Sequence, residues 1–66
     1  MTNKLKAIRA EKKMTQEQLA KKAGISRTTL AMIENEKAVP DGHTIAALVK
    51  ALGVSADAIF LDLGVV

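Results

Sequence analysis

Side chains able to do covalent chemistry are scarce in this sequence. It contains no Cys and a single His, His43, so neither a thiolate nucleophile nor a zinc ligand set can be assembled. No hydroxyl stands beside a base, as an activated nucleophile requires. The seven Asp and Glu are scattered singly, without the pairing that general acid and base work needs. Four isolated Gly cannot form a loop that cradles phosphates. An enzyme is not expected, and neither is a cofactor.

What remains is charge and its distribution. Residues 1–37 carry nine Lys and Arg against four Glu, a net +5. Residues 38–66 carry Lys50 against Asp41, Asp57 and Asp62, a net −2. The first part is a candidate surface for a polyanion. Taken alone, such a balance is more often a solvated face. Phe60 is the one aromatic residue, so gripping single strands by base stacking is excluded. A nucleic-acid partner, if there is one, is then duplex DNA.

Sixty-six residues are expected to make one domain over 1–66, with a core over 5–60 and a tail over 61–66. A chain this short buries little surface, so dense helix packing or self-association must supplement it. Lack of Cys fits a reducing, cytoplasmic setting. Met1-Thr2-Asn3-Lys4 does not open a signal peptide, and no apolar run approaches the ~20 residues of a membrane span.

Apolar spacing predicts five short helices to carry these charges. The first covers about 3–13, with Leu5, Ile8, Arg9 and Lys12 at i, i+3, i+4, i+7. Thr15 caps the second, with Gln18 completing a capping box and Met14 facing Leu19 as a staple. Gly24 stops it, and Ser26 starts the third at once, which ends near Asn35. Asp41 caps the fourth, whose stripe is Ile45, Leu48, Val49 and Leu52, and Gly53 closes it. Ser55 caps the fifth. Arg9 and Glu34 are charges on apolar stripes and need partners, so an Arg9–Glu34 pair is predicted between the first and third helices.

The informative unit is Gln16 to Asn35, two helices joined by Ala23-Gly24-Ile25-Ser26. Ala20 lets the helices approach, Gly24 supplies a positive φ, and Ile25, Leu30 and Ile33 dock the second helix onto the core. Together with Thr15-Gln16-Glu17-Gln18-Leu19-Ala20, Ile33-Glu34-Asn35-Glu36-Lys37 and Pro40, this unit resembles the Cro/C1-type (XRE-type) helix-turn-helix domain. The resemblance covers about 5–60. It implies an all-α, five-helix, lambda-repressor-like DNA-binding fold, whose third helix enters the major groove while the second crosses the backbone.

Helix angles then select the readers. With Leu30 at zero and ~100° per residue, Thr28, Ala31, Met32 and Asn35 lie opposite the buried face. Arg27 reaches forward from the first turn and can take a guanine edge or a phosphate with equal ease. Thr28 can meet a base edge or a thymine methyl, and Ala31 and Met32 offer apolar contacts to thymine methyls. Thr29 points sideways, toward the backbone. The resemblance implies that Gln16 holds a phosphate at the second helix's N-terminus, that Asn35 and Lys37 clamp the backbone, and that Arg9–Glu34 orients the third helix. His43 lies on a polar side and carries no role.

The end of the chain is apolar. Leu61, Leu63 and Val65 alternate with Phe60, Asp62 and Gly64, which reads as a short terminal strand. It is expected to form a dimer contact through Ile59, Phe60, Leu61, Leu63 and Val65, because so small a domain needs extra burial; folding back against Met1-Thr2-Asn3 is the plainer alternative, and both can hold together. The expected function is a homodimeric, sequence-specific regulator of transcription, most simply a repressor associated with the nucleoid. Its operator would be pseudo-palindromic, with half-sites one turn of roughly 10 bp apart, or a multiple. An attached effector domain is not expected, and control by concentration, by the dimer equilibrium or by a protein partner is expected in its place. An antitoxin or a restriction–modification controller of the same fold is the neighbouring alternative. A protein-interaction module that lost DNA contact is a separate class, and an RNA-binding domain is disfavoured.

Overall fold

The structure, a computed structural model, describes residues 2–61. Five helices follow in chain order: α1 (Leu5–Glu11), α2 (Gln16–Ala23), α3 (Arg27–Glu34), α4 (Gly42–Leu52) and α5 (Ala56–Ile59). Four of them begin where a side-chain oxygen accepts a backbone N–H of the first turn. Thr15 accepts from Gln18, Ser26 from Thr29, Asp41 from Thr44 and Ser55 from Ala58. Thr15 and Gln18 complete the reciprocal box, since Gln18 Oε1 also accepts from Thr15 N at 2.9 Å. The Thr44 N–H, donating to Asp41, holds that carboxyl below its ordinary value of 3.8.

Helix α1 is shorter than the expected 3–13. At its start, Asn3 is drawn into an antiparallel bridge with Phe60, and its side chain accepts the Leu5 N–H at 3.0 Å. At its end, Lys13 takes a left-handed φ of 56°. There Lys13 N donates to Ala10 O and Met14 N to Arg9 O, the bond pair of a Schellman turn. The same turn ends α3 at Glu36, with φ 60°. Glycine is the usual residue in that role, and only Gly24 and Gly53 signalled it in advance.

Leu5, Ile8, Leu19, Ala20, Leu30, Ile33, Leu48, Ala51, Leu52, Ile59 and Phe60 form one core, drawn from all five helices and the residue after α5. Met14, Ile25 and Val54 pack on its edge, as the staples require. Of the expected terminal strand, the described residues include only the Asn3–Phe60 bridge. Flanking it, Lys4 N donates to Ile59 O and Leu61 N to Thr2 O. The rest of the alternation, including Leu63 and Val65, lies outside the described residues. Among the described residues no helix is long and apolar enough to cross a membrane.

Candidate nucleic-acid interface

The turn between α2 and α3 is made by Gly24 at φ 74°, with Gly24 N donating to Lys21 O and Ile25 N to Ala20 O. A Cβ on Gly24 would meet nothing within 4 Å, so glycine is needed for the backbone angle and not for space. The turn sets α3 with Leu30, Ile33 and Glu34 inward. Its other side is open. Gln16, Arg27, Thr28, Ala31, Met32, Asn35 and Lys37 line one shallow concavity of about 370 Å³. Two cations and no carboxylate are among them, so the face favours an anion rich in acceptors. Met32, among its lining residues, is 42% exposed, an apolar side chain available to an apolar partner group.

Seven of the eight expected contact residues therefore converge. Thr29 is the one left out: its hydroxyl oxygen accepts from Ser26 Oγ at 2.8 Å and its N–H is used by the Ser26 cap. A second hollow beside the first is lined by Arg9, Thr15, Gln16, Glu17 and Arg27. Glu17 there serves the α2 N-terminus, and its charge opposes an anion at that spot.

Behind the face sits an ionic cluster. Arg9 Nε donates to Glu34 Oε2 at 2.7 Å and Arg9 Nη2 to Glu34 Oε1 at 3.3 Å. Arg9 Nη1 donates to the Met14 carbonyl at 2.8 Å. The Glu34 side chain is only 1% exposed and that of Arg9 14%. Gln16 adds a member that its sequence position did not reveal: its Nε2 donates to Glu34 Oε1 at 3.0 Å. One carboxylate thus ties α1, the start of α2 and the end of α3 together. A carboxamide nitrogen carries a second hydrogen, so Gln16 retains one donor for an outside acceptor.

Ile59 and Phe60 correct the expected dimer contact. They are 0% and 1% exposed within their own chain, because α5 closes the core with them, and they have no surface to offer a second copy. Leu61, 52% exposed, does.

Two helices joined by a tight glycine turn, the second with a solvated polar and apolar face, define a helix-turn-helix protein. The chain belongs to the helix-turn-helix family of the Cro/C1 (XRE) type, whose family model matches residues 5–59. It is 48% identical over 56 residues to the immunity repressor protein of Bacillus phage phi105, covering 85% of this chain and 39% of that one. It is 44% identical over 61 residues to an uncharacterised HTH-type transcriptional regulator of Methanocaldococcus jannaschii, covering 92% of both. A crystal structure of a hypothetical transcription factor from Neisseria, NHTF, superposes with a TM-score of 0.77 at 30% identity, over 82% of this chain and 61% of the other. The chain thus spans well under half of the phage repressor and nearly the whole of the archaeal regulator.

Proposed function

We propose that this chain binds duplex DNA sequence-specifically as a homodimer and regulates transcription by repression. The observation that carries the reading is the concavity in which Arg27, Thr28, Ala31, Met32, Asn35, Lys37 and Gln16 meet, without a carboxylate. α3 enters the major groove. Arg27 takes a guanine edge, Thr28 a base edge, and Ala31 and Met32 thymine methyls. Gln16 directs its remaining amide hydrogen to a phosphate, and Asn35 and Lys37 hold the backbone after α3. Thr29 stands beside this set as a backbone contact through its hydroxyl hydrogen. The work is binding, with no chemical step. Repression is supported by the name of the phage relative. A homodimer on an inverted repeat is supported by the exposed Leu61, which is not among the residues lining the concavity.

The test is selection from a random duplex library at moderate salt, with the recovered fragments sequenced over several rounds. An enriched inverted repeat is expected. Arg27→Ala should then relax preference at one base pair per half-site, by about 1–3 kcal/mol of discrimination. Enrichment of no sequence, with binding that vanishes as salt rises, would reduce the reading to non-specific attraction.

A further inference from the structure

We propose that Asn3 is a positioning residue for the backbone clamp of Asn35 and Lys37, acting through the carbonyl of Ile33. The proposal rests on the reading that this face meets duplex DNA. Asn3 Nδ2 donates to Ile33 O at 2.9 Å, across 30 residues of sequence. The same carbonyl accepts Glu36 N at 3.0 Å. Both its lone pairs are therefore used, one inside the turn that ends α3 and one by the start of the chain. That turn is where Lys37 N donates to Met32 O at 2.8 Å, and where Glu36 holds a left-handed φ of 60°. A non-glycine residue in that conformation persists only when its surroundings hold it there. Asn3 supplies such a hold on the carbonyl at the centre of the turn.

Asn3 can do this because it is itself fixed. Its main chain is bridged to Phe60, which is buried, and Lys4 N and Leu61 N complete the pairing on either side. Its Oδ1 accepts Leu5 N at 3.0 Å, so the two partners together dictate which way the amide faces. Helix α3 is thus pinned twice near its end. Arg9 and Gln16 hold Glu34, and Asn3 holds the preceding carbonyl. The first pin sets where the helix lies; the second sets the angle at which the chain leaves it, and with that the reach of Lys37 toward a phosphate.

Asn3→Asp separates these roles. It keeps the acceptor for Leu5 N and replaces the donor to Ile33 O with an oxygen that cannot donate. Asn3→Ser, too short to reach Ile33 while keeping a capping oxygen, is the second variant. Amide hydrogen exchange of the full chain and anisotropy with a mixed-sequence duplex, across a salt series, are the two readouts. The Glu36 and Lys37 amides should exchange about tenfold faster in both variants, while those of Gln18 and Thr44, in the caps of α2 and α4, do not change. Losing one phosphate contact should lower duplex affinity roughly tenfold at 0.1 M salt and reduce the salt slope by about one unit. Lys37→Ala should then add nothing in the Asn3→Asp background. Unchanged exchange at Glu36 and Lys37 overturns the proposal, as does a Lys37→Ala effect of full size in that background. Failure of the unaltered protein to bind any duplex would sink the DNA reading instead, and exchange alone would then decide whether Asn3 holds the turn.

Discussion

At the scale of single residues, the ionic cluster is the feature with the largest energetic stake. Glu34 cannot reach water, whereas Arg9 partly can. The two truncations should therefore be unequal. Arg9→Met leaves a buried carboxylate with only Gln16 to answer it and should cost about 3–5 kcal/mol. Glu34→Gln leaves Arg9 its bond to the Met14 carbonyl and a path to solvent, and should cost less. Urea unfolding of both variants checks the order; equal costs would mean that the cluster is more hydrated than its burial indicates. Both partners were legible in the sequence because a charge on an apolar stripe demands an opposite one. Gln16 was not, since its bond to Glu34 spans 18 residues and depends on the angle of the turn between them. Helical spacing identifies a face, and only the packed angle between helices tells which polar groups meet across it.

At the scale of elements, starts were easier to read than stops. A capping oxygen has a distinctive side chain, and Thr15, Ser26, Asp41 and Ser55 each announce a helix. A left-handed stop is a backbone property, and Lys13 and Glu36 adopt it without glycine. Packing of Met14 at the core edge holds the first of these turns against its local preference. Replacing Lys13 with Gly should relieve that strain and stabilise the chain by about 0.5–1 kcal/mol, after glycine's own entropic cost. Gly24→Ala should do the reverse, since the added methyl meets open space and only the backbone resists. Denaturation midpoints report both, and a destabilised Lys13→Gly would show that the Lys13 side chain contributes more than its backbone costs. The Asp41 cap adds a dependence on pH. Its carboxyl is held below 3.8 in the folded chain, so its contribution is present above that value. It fades as pH falls through the lower folded value. Thermal scans between neutral and acid pH should show Asp41→Asn losing less stability on acidification than the unaltered chain; parallel curves would rule the cap out as the source.

At the scale of the whole molecule, the stripes of α1 to α4 were legible because each supplies buried residues to one core, whereas Phe60 was read as a contact and is part of that core. The terminal segment was not, because the same alternating pattern serves a strand that folds back or one that meets a second chain. The described bridge favours the first role for the main chain at Phe60, yet it leaves Leu61 outward. Main-chain pairing inside one chain and side-chain contact between two are therefore compatible there. The Leu61 side chain is exposed and its main-chain bond to Thr2 does not depend on that side chain, so a charge introduced at Leu61 should leave the concavity on α3 intact. In the proposed homodimer, Leu61→Glu would bring two carboxylates together at the contact, where like charges repel. Sedimentation should then show a monomer at concentrations where the unaltered chain is dimeric. Affinity for an inverted repeat should fall toward that for a single half-site, while half-site affinity stays the same, because what is lost is the linkage of two binding events. A variant that sediments as before, with unaltered preference for the repeat, would move the dimer contact to another face and leave Leu61 a solvated apolar residue. One that loses half-site affinity as well would mean that the terminal bridge, through Asn3, governs the recognition face directly.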